Sequence, residues 1–308
     1  MPDLFRIFTH IVFPVLLIAA AGYLVQKRFK FDLMALTKTF FFVITPCLVF
    51  TRVYETALSW ESYGRFALFT AVLIALMGGI GLFVSRTGRF TVSMRAAFIL
   101  SVMMANSGNY GLPVIELMFN GNPYASSIQL IVMVTQGIIH YTLGIFIVAR
   151  GQGTAREALG HTLRYPLIYA VALVAIFKGF DITVWEPVWF TMEKISAAFV
   201  PMALFTLGAQ LARIRLGRGM GRVLLASAFR LLVAPLVAIG LIRIFGFSGM
   251  NAQILFVGAA LPTAVNSALF AAEFNNEAEF ASQVVFFSTL LSFFTVSFAI
   301  WVARAWIG

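Results

Sequence analysis

Charge is what this sequence has least of: of 308 residues only 11% are charged, while 61% are hydrophobic. An ordinary soluble domain carries about a quarter charged residues. A water-soluble core cannot absorb that much apolar surface, so no soluble catalytic or binding domain fits within the chain. Acids are scarcer than bases, 12 Asp and Glu against 22 Lys and Arg, giving a formal net charge of +10. The bases sit in gaps between apolar runs without interleaved aromatics, which argues against a nucleic-acid surface. The single cysteine, Cys47, lies beside Pro46 inside an apolar run; it has no internal partner and reads as a small buried residue. No P-loop, paired-Asp diphosphate motif, His-Glu-x-x-His or Cys-x-x-Cys occurs. ATP-driven transport and the usual intramembrane metalloenzymes therefore lose support. We expect no enzymatic activity, no metal and no cofactor beyond a coupling proton or sodium ion.

What is present is a succession of long apolar runs. A bilayer span needs roughly 20 such residues, and backbone inside lipid must satisfy its own hydrogen bonds, which leaves helices or a closed barrel. Uninterrupted runs favour helices over the alternating pattern of a barrel. Spans are expected near 5–25, 33–53, 62–84, 95–120, 124–148, 164–180, 189–211, 222–244, 250–275 and 279–304, an all-α integral membrane protein of ten transmembrane helices. The run at 7–25, with Ala19 and Ala21 mimicking a cleavage site, is long for a signal peptide and is taken as the first span.

The gaps after odd-numbered spans hold Lys27, Arg28, Lys30, Arg86, Arg89, Arg95, Arg150, Arg156, Arg164, Arg213, Arg215, Arg218 and Arg222. The opposite gaps hold Arg6, Arg52, Arg65, Lys178, Lys194, Arg243 and Arg304, diluted by acids. The excess of bases faces the cytoplasm, so a multi-pass inner-membrane protein with both termini on the non-cytoplasmic side is expected.

Prolines mark an internal repeat. Pro14, Pro46 and Pro113 answer to Pro166, Pro201 and Pro262 at offsets of 152, 155 and 149 residues. Five spans in each half turn the second half over, giving two inverted repeats, 1–148 and 164–308, joined by a cytoplasmic linker at 149–163. Such repeats commonly build two faces around one midplane site.

Span four reads Met103-Met-Ala-Asn-Ser-Gly-Asn-Tyr-Gly-Leu-Pro113, and span nine reads Gly258-Ala-Ala-Leu-Pro-Thr-Ala-Val-Asn-Ser267. Proline lacks an N–H and crowds the preceding turn, so both helices should unwind, and unwound backbone at membrane depth is tolerated only in protein or beside a wet cavity. Half-helices starting near Pro113 and Pro262 would aim positive N-terminal ends at the midplane, with Asn106, Asn109, Asn266 and Ser267 adding neutral donors. The expected ligand is an anionic group, most simply a carboxylate, held without a full positive charge from the protein, because an unpaired Arg there is costly. The competing reading is that these residues only cap kinked structural helices.

Glu116, one turn after Pro113, either favours the nearby helix N-terminus or carries a coupling proton. Gln136 and His140, one turn apart in span five, either face the cavity or pack within the bundle. Glu273 reads as interfacial, and Lys38 and Arg230 as snorkelling or paired.

The stretches Asn106-Ser-Gly-Asn-Tyr-Gly-Leu-Pro113, Leu261-Pro-Thr-Ala-Val-Asn266 and Ser288-Thr-Leu-Leu-Ser292 resemble the auxin efflux carrier family, bacterial branch, over essentially the whole chain. The resemblance implies a sodium/proton-antiporter-like fold with crossed broken helices four and nine. Spans one, two, six and seven would be a scaffold, and spans three to five and eight to ten a transport domain moving as an elevator. It maps crossover residues onto Asn106, Asn109, Pro113 and Pro262, with Ser107 and Tyr110 in the same stretch, and implies organic-acid substrates such as malonate, malate or auxin. A homodimer through the scaffold is a further implication. The short gap between spans five and six departs from plant auxin carriers, and Glu273 stands near where many relatives carry Tyr. The alternative function on this fold is cation/proton antiport.

Overall fold

The structure, a computed structural model, describes residues 2–56, 58–148, 166–214, 217 and 219–307. The expected linker at 149–163 lies outside the described residues. Among those described there is no β-strand, only an isolated antiparallel bridge between Ala105 and Thr263.

Among the described residues six helices are long and apolar enough to cross a membrane: α1 Leu4–Phe29, α2 Leu33–Glu55, α3 Trp60–Thr87, α8 Glu186–Leu211, α9 Met220–Phe245 and α12 Ala278–Ile307. The rest are α4 (Val92–Met103), α5 (107–118), α6 (123–148), α7 (Pro166–Gly179), α10 (Gly249–Ala259) and α11 (Val265–Glu273). Starts follow from local chemistry. Asp32, Ser59, Thr91 and Asn122 each accept a backbone N–H as N-cap of α2, α3, α4 and α6, satisfying donors a helix cannot. Gly246, at φ +68°, ends α9.

The prolines act differently from the simple expectation. Pro14, Pro46 and Pro235 do not break their helices; each follows by two residues a widened π turn, at Phe8–Val12, Phe40–Ile44 and Phe229–Val233. The wider turn accommodates a residue that lacks an N–H and crowds the previous carbonyl. Pro113 likewise follows the π turn Ser107–Gly111. The first break therefore lies not at Pro113 but at Met104–Asn106, between the end of α4 and the start of α5.

Two seams organise the bundle. Helices α1 and α8 approach so closely that a Cβ on Gly22 would meet the Phe205 carbonyl at 2.0 Å and one on Gly208 the Ala19 carbonyl at 1.7 Å. This is small-residue packing of the kind that lets membrane helices seat backbone on backbone. Across the second seam α2 faces α5 and α6. Arg52 Nε lies 3.4 Å from Glu116 Oε1, and Ser126 Oγ donates to the same carboxylate oxygen at 2.6 Å. Ser127 Oγ donates to the Arg52 carbonyl at 2.8 Å and meets the Thr56 hydroxyl at 2.6 Å. Lys178 of α7 donates to the carbonyls of Val53 and Thr56. Cys47 is half-buried rather than buried.

Candidate functional site

Both interrupted helices leave helical geometry at one point in space. Met104 and Ala264 have extended backbones; Asn106 N–H donates to the Pro262 carbonyl at 2.7 Å, and Ala264 N–H to the Met104 carbonyl at 3.0 Å. Two backbone segments that would be unsatisfied in lipid thus satisfy each other. The pair of bonds is related by a local two-fold through the bridge from Ala105 to Thr263. These two residues stand 158 positions apart, so Pro262 sits opposite Asn106 and not Pro113. The proline alignment found both breaks but missed their register, because Pro113 lies inside the resumed helix while Pro262 lies in the break itself.

Side chains complete the crossing. Thr263 Oγ1 donates to the Ser101 carbonyl at 2.8 Å, and Thr263 N–H to Ser288 Oγ at 3.1 Å. Gln129 Nε2 donates to the Ser107 carbonyl at 3.0 Å, and Ser107 Oγ to Gln136 Oε1 at 3.3 Å. Gln129 and Gln136 are seven residues apart on α6, two turns of one face; that spacing could have revealed Gln129.

Over the crossing lies a cavity of about 50 Å³, several times the ~10–15 Å³ a water needs. Asn106, Ser107, Asn109, Gln136, His140 and Asn266 line it, and Phe40, Phe41 and Thr45 of α2 close it. Asn106 Nδ2 and His140 Nε2 are buried and have no hydrogen-bond partner among the described residues; the His140 ring rests edge-on against Phe270. Of the expected residues, Tyr110, Pro113, Pro262, Ser267 and Glu116 are not in the lining. Tyr110 is buried against Phe293 of α12, and Ser267 Oγ points back to the Leu100 carbonyl at 3.5 Å. Glu116 is held at the α2 seam by Arg52 and Ser126. Glu273 is exposed at the end of α11, as an interfacial residue should be.

Behind the crossing, outside the lining of the cavity, stands Arg230. It is not a snorkelling residue: it is 2% exposed, at the π turn of α9. Its guanidinium donates to the carbonyls of Leu261 (3.0 Å), Val102 (3.2 Å) and Ala259. These carbonyls close α4 and α10, whose C-terminal ends carry partial negative charge. Charge-assisted bonds contribute about 1.5–3 kcal/mol each, enough between them to hold a buried guanidinium that a bare apolar site would reject. The sequence did not show which face of its helix Arg230 occupies, since both faces are apolar.

A larger opening adjoins the cavity. A groove of about 730 Å³ runs between the start of α2 (Leu33, Thr37), the end of α8 (Leu211, Arg213) and α11 (Ala268, Ala272). Val265 lines both groove and cavity. At the other end of the molecule a depression of about 520 Å³ collects Arg6, His10 and Arg304, but it shares no lining residue with the cavity.

A family model described as membrane transport protein matches residues 7–300. An uncharacterized transporter of Methanothermobacter thermautotrophicus is 25% identical over 95% of this chain and 97% of its own. A protein of Rhizobium meliloti named "Putative malonate transporter" is 25% identical over 96% of each chain. An uncharacterized transporter of Methanocaldococcus jannaschii is 24% identical over 66% of this chain and 67% of its own. With the family match running almost from end to end of a multi-pass helical chain, this protein belongs to the membrane transport protein family, that of the auxin efflux carriers.

Proposed function

We propose that the protein is a secondary carrier that moves a small organic anion, a carboxylate of the malonate or malate kind, across the inner membrane. The observation that carries this reading is the donor set of the crossing cavity. Asn106 Nδ2 is buried without a partner, Asn109, Asn266 and Gln136 face the same space, and α5 begins there with first-turn N–H groups that no helix can satisfy. A buried unpaired donor calls for an acceptor, and a carboxylate at a helix N-terminus supplies it. The malonate name of the Rhizobium meliloti relative agrees with that chemistry.

In this reading the chain forms ten spans in two inverted repeats, with the two-fold axis at the bridge from Ala105 to Thr263. Termini lie outside, since Lys27, Arg28, Arg86 and Arg213 gather at the opposite end. The groove then opens to the cytoplasm, and the α2 seam at Arg52 and Glu116 closes the outer face. Helices α1, α2, α7 and α8 stand still, and the others slide past them as an elevator. Cation/proton antiport is the weaker reading because no carboxylate lines the cavity and Glu116 is engaged elsewhere.

Uptake of labelled malonate, malate and indole acetate into proteoliposomes tests the reading. We expect saturable uptake of at least one acid, reduced tenfold or more by Asn106→Ala and by Asn109→Ala, roughly what one or two lost hydrogen bonds to a charged ligand imply, with both variants still extracted as folded protein. Unaltered transport by both variants would remove the site assignment. Sodium-dependent proton release without acid uptake would favour antiport.

A further inference from the structure

Arg230 is the only Arg, Lys, Asp or Glu buried among the described residues, and it forms no ion pair there. Its guanidinium is spent on the C-terminal carbonyls of α4 and α10. Each helix end amounts to about half an elementary charge, so one guanidinium offsets two negative ends. The two positive ends at the starts of α5 and α11 are left unopposed beside the cavity. Together they present about one unit of positive charge to a site whose own lining holds no formal acid or base other than His140.

We propose that the crossing is electrically matched to a single negative charge. One carboxylate of the substrate neutralises the buried crossing, and the empty crossing returns carrying the charge of Arg230. This rests on the carrier reading above and adds the valence of the cargo and the identity of the voltage-dependent step. The loaded crossing, its buried charge neutral with a monoanion, moves without doing work against the membrane potential. The empty crossing, its buried charge positive, does not. A doubly charged substrate binds with its second carboxylate protonated or leaves the loaded crossing negative.

The test uses the intact protein in potassium-loaded proteoliposomes with valinomycin, and monomethyl malonate, a single carboxylate, as probe beside malonate. Exchange of labelled for unlabelled probe requires only the loaded step; net uptake requires the empty return. For the wild type we expect exchange of monomethyl malonate to change by less than about twofold over about 100 mV, and net uptake by roughly fivefold or more, the full field acting on one charge being larger still. Arg230→Lys keeps this pattern. Arg230→Gln makes exchange voltage-dependent by roughly fivefold, because the loaded crossing then bears the substrate's charge alone. The wild-type comparison stands even if the glutamine variant does not fold. Voltage-dependent wild-type exchange of the monoanion, or exchange of malonate with none of monomethyl malonate, overturns the charge matching and leaves the carrier intact. Absence of exchange of any carboxylate overturns both.

Discussion

At the end of α2 that leads to Thr56, the boundary with α5 and α6 is closed by polar contacts: Arg52 against Glu116, and Ser127 against Thr56 and the Arg52 carbonyl. At the end that begins at Leu33, the same helix borders an open and mostly apolar groove. The closed end is directional and saturable: its hydrogen bonds exist in one relative position of the helices and are lost together when they slide. The apolar walls of the open end have no such preferred register, so α2 can pass them at little cost. Under the elevator motion proposed above, a boundary latched at one end and smooth at the other is one of two end states, the one open toward the groove.

The largest effect should come from making the latch permanent. The hydroxyls of Thr56 and Ser127 stand 2.6 Å apart, close to the ~2.05 Å of a disulfide. We expect Thr56→Cys with Ser127→Cys, in a Cys47→Ser background, to cross-link on oxidation and abolish net uptake, with reduction restoring it. Undiminished flux through a fully cross-linked protein would show that this boundary does not move.

A smaller effect is expected from weakening the latch. Glu116→Gln keeps shape and the Ser126 contact but removes the ion pair with Arg52. Partly exposed pairs contribute about 0.2–1 kcal/mol, so the balance of end states should shift by a few-fold toward the outward-open form, read as faster labelling of a cysteine at position 127 from outside. The same variant separates the two roles open for Glu116. If its carboxylate carries a coupling proton, Glu116→Gln abolishes the dependence of uptake on a proton gradient; if it is part of the latch, that dependence is unchanged.

How much of this was legible in the sequence depends on what lipid hides. The apolar runs and the two weak points were legible because a bilayer tolerates few polar or helix-breaking residues, and Asn106, Asn109 and Asn266 stood out for that reason. The position of the first break was not, since Pro113 can be absorbed by a π turn that no residue pattern announces. Nor was any fact about facing. Gln129, Arg230 and the pairing of Arg52 with Glu116 each depend on which side of a helix turns inward. In a soluble helix the polar side answers that, whereas here both sides are apolar. Tyr110 and Ser267 failed as cavity residues for the same reason: each lies near a break in sequence but turns toward a neighbouring helix.

The smallest effect should come from the mouth of the groove. Arg213 is exposed there and donates a 2.9 Å hydrogen bond to the Phe31 carbonyl, so its loss should leave stability within about 0.5 kcal/mol. Its charge still acts at a distance. A cation at the entrance of an apolar cleft raises the local concentration of an anion, an effect that grows as salt is removed. Arg213→Gln should therefore lower efflux of the carried acid from loaded vesicles by about two- to threefold at low ionic strength and converge on the wild type near 0.15 M salt, where the Debye length is about 8 Å. Because steering acts on encounter and not on the bound state, the change should fall on the apparent affinity from the groove side, with the maximal rate preserved. An equal loss at every salt concentration would instead mark Arg213 as a direct contact of the substrate, and would move the gate from the crossing cavity to the mouth of the groove.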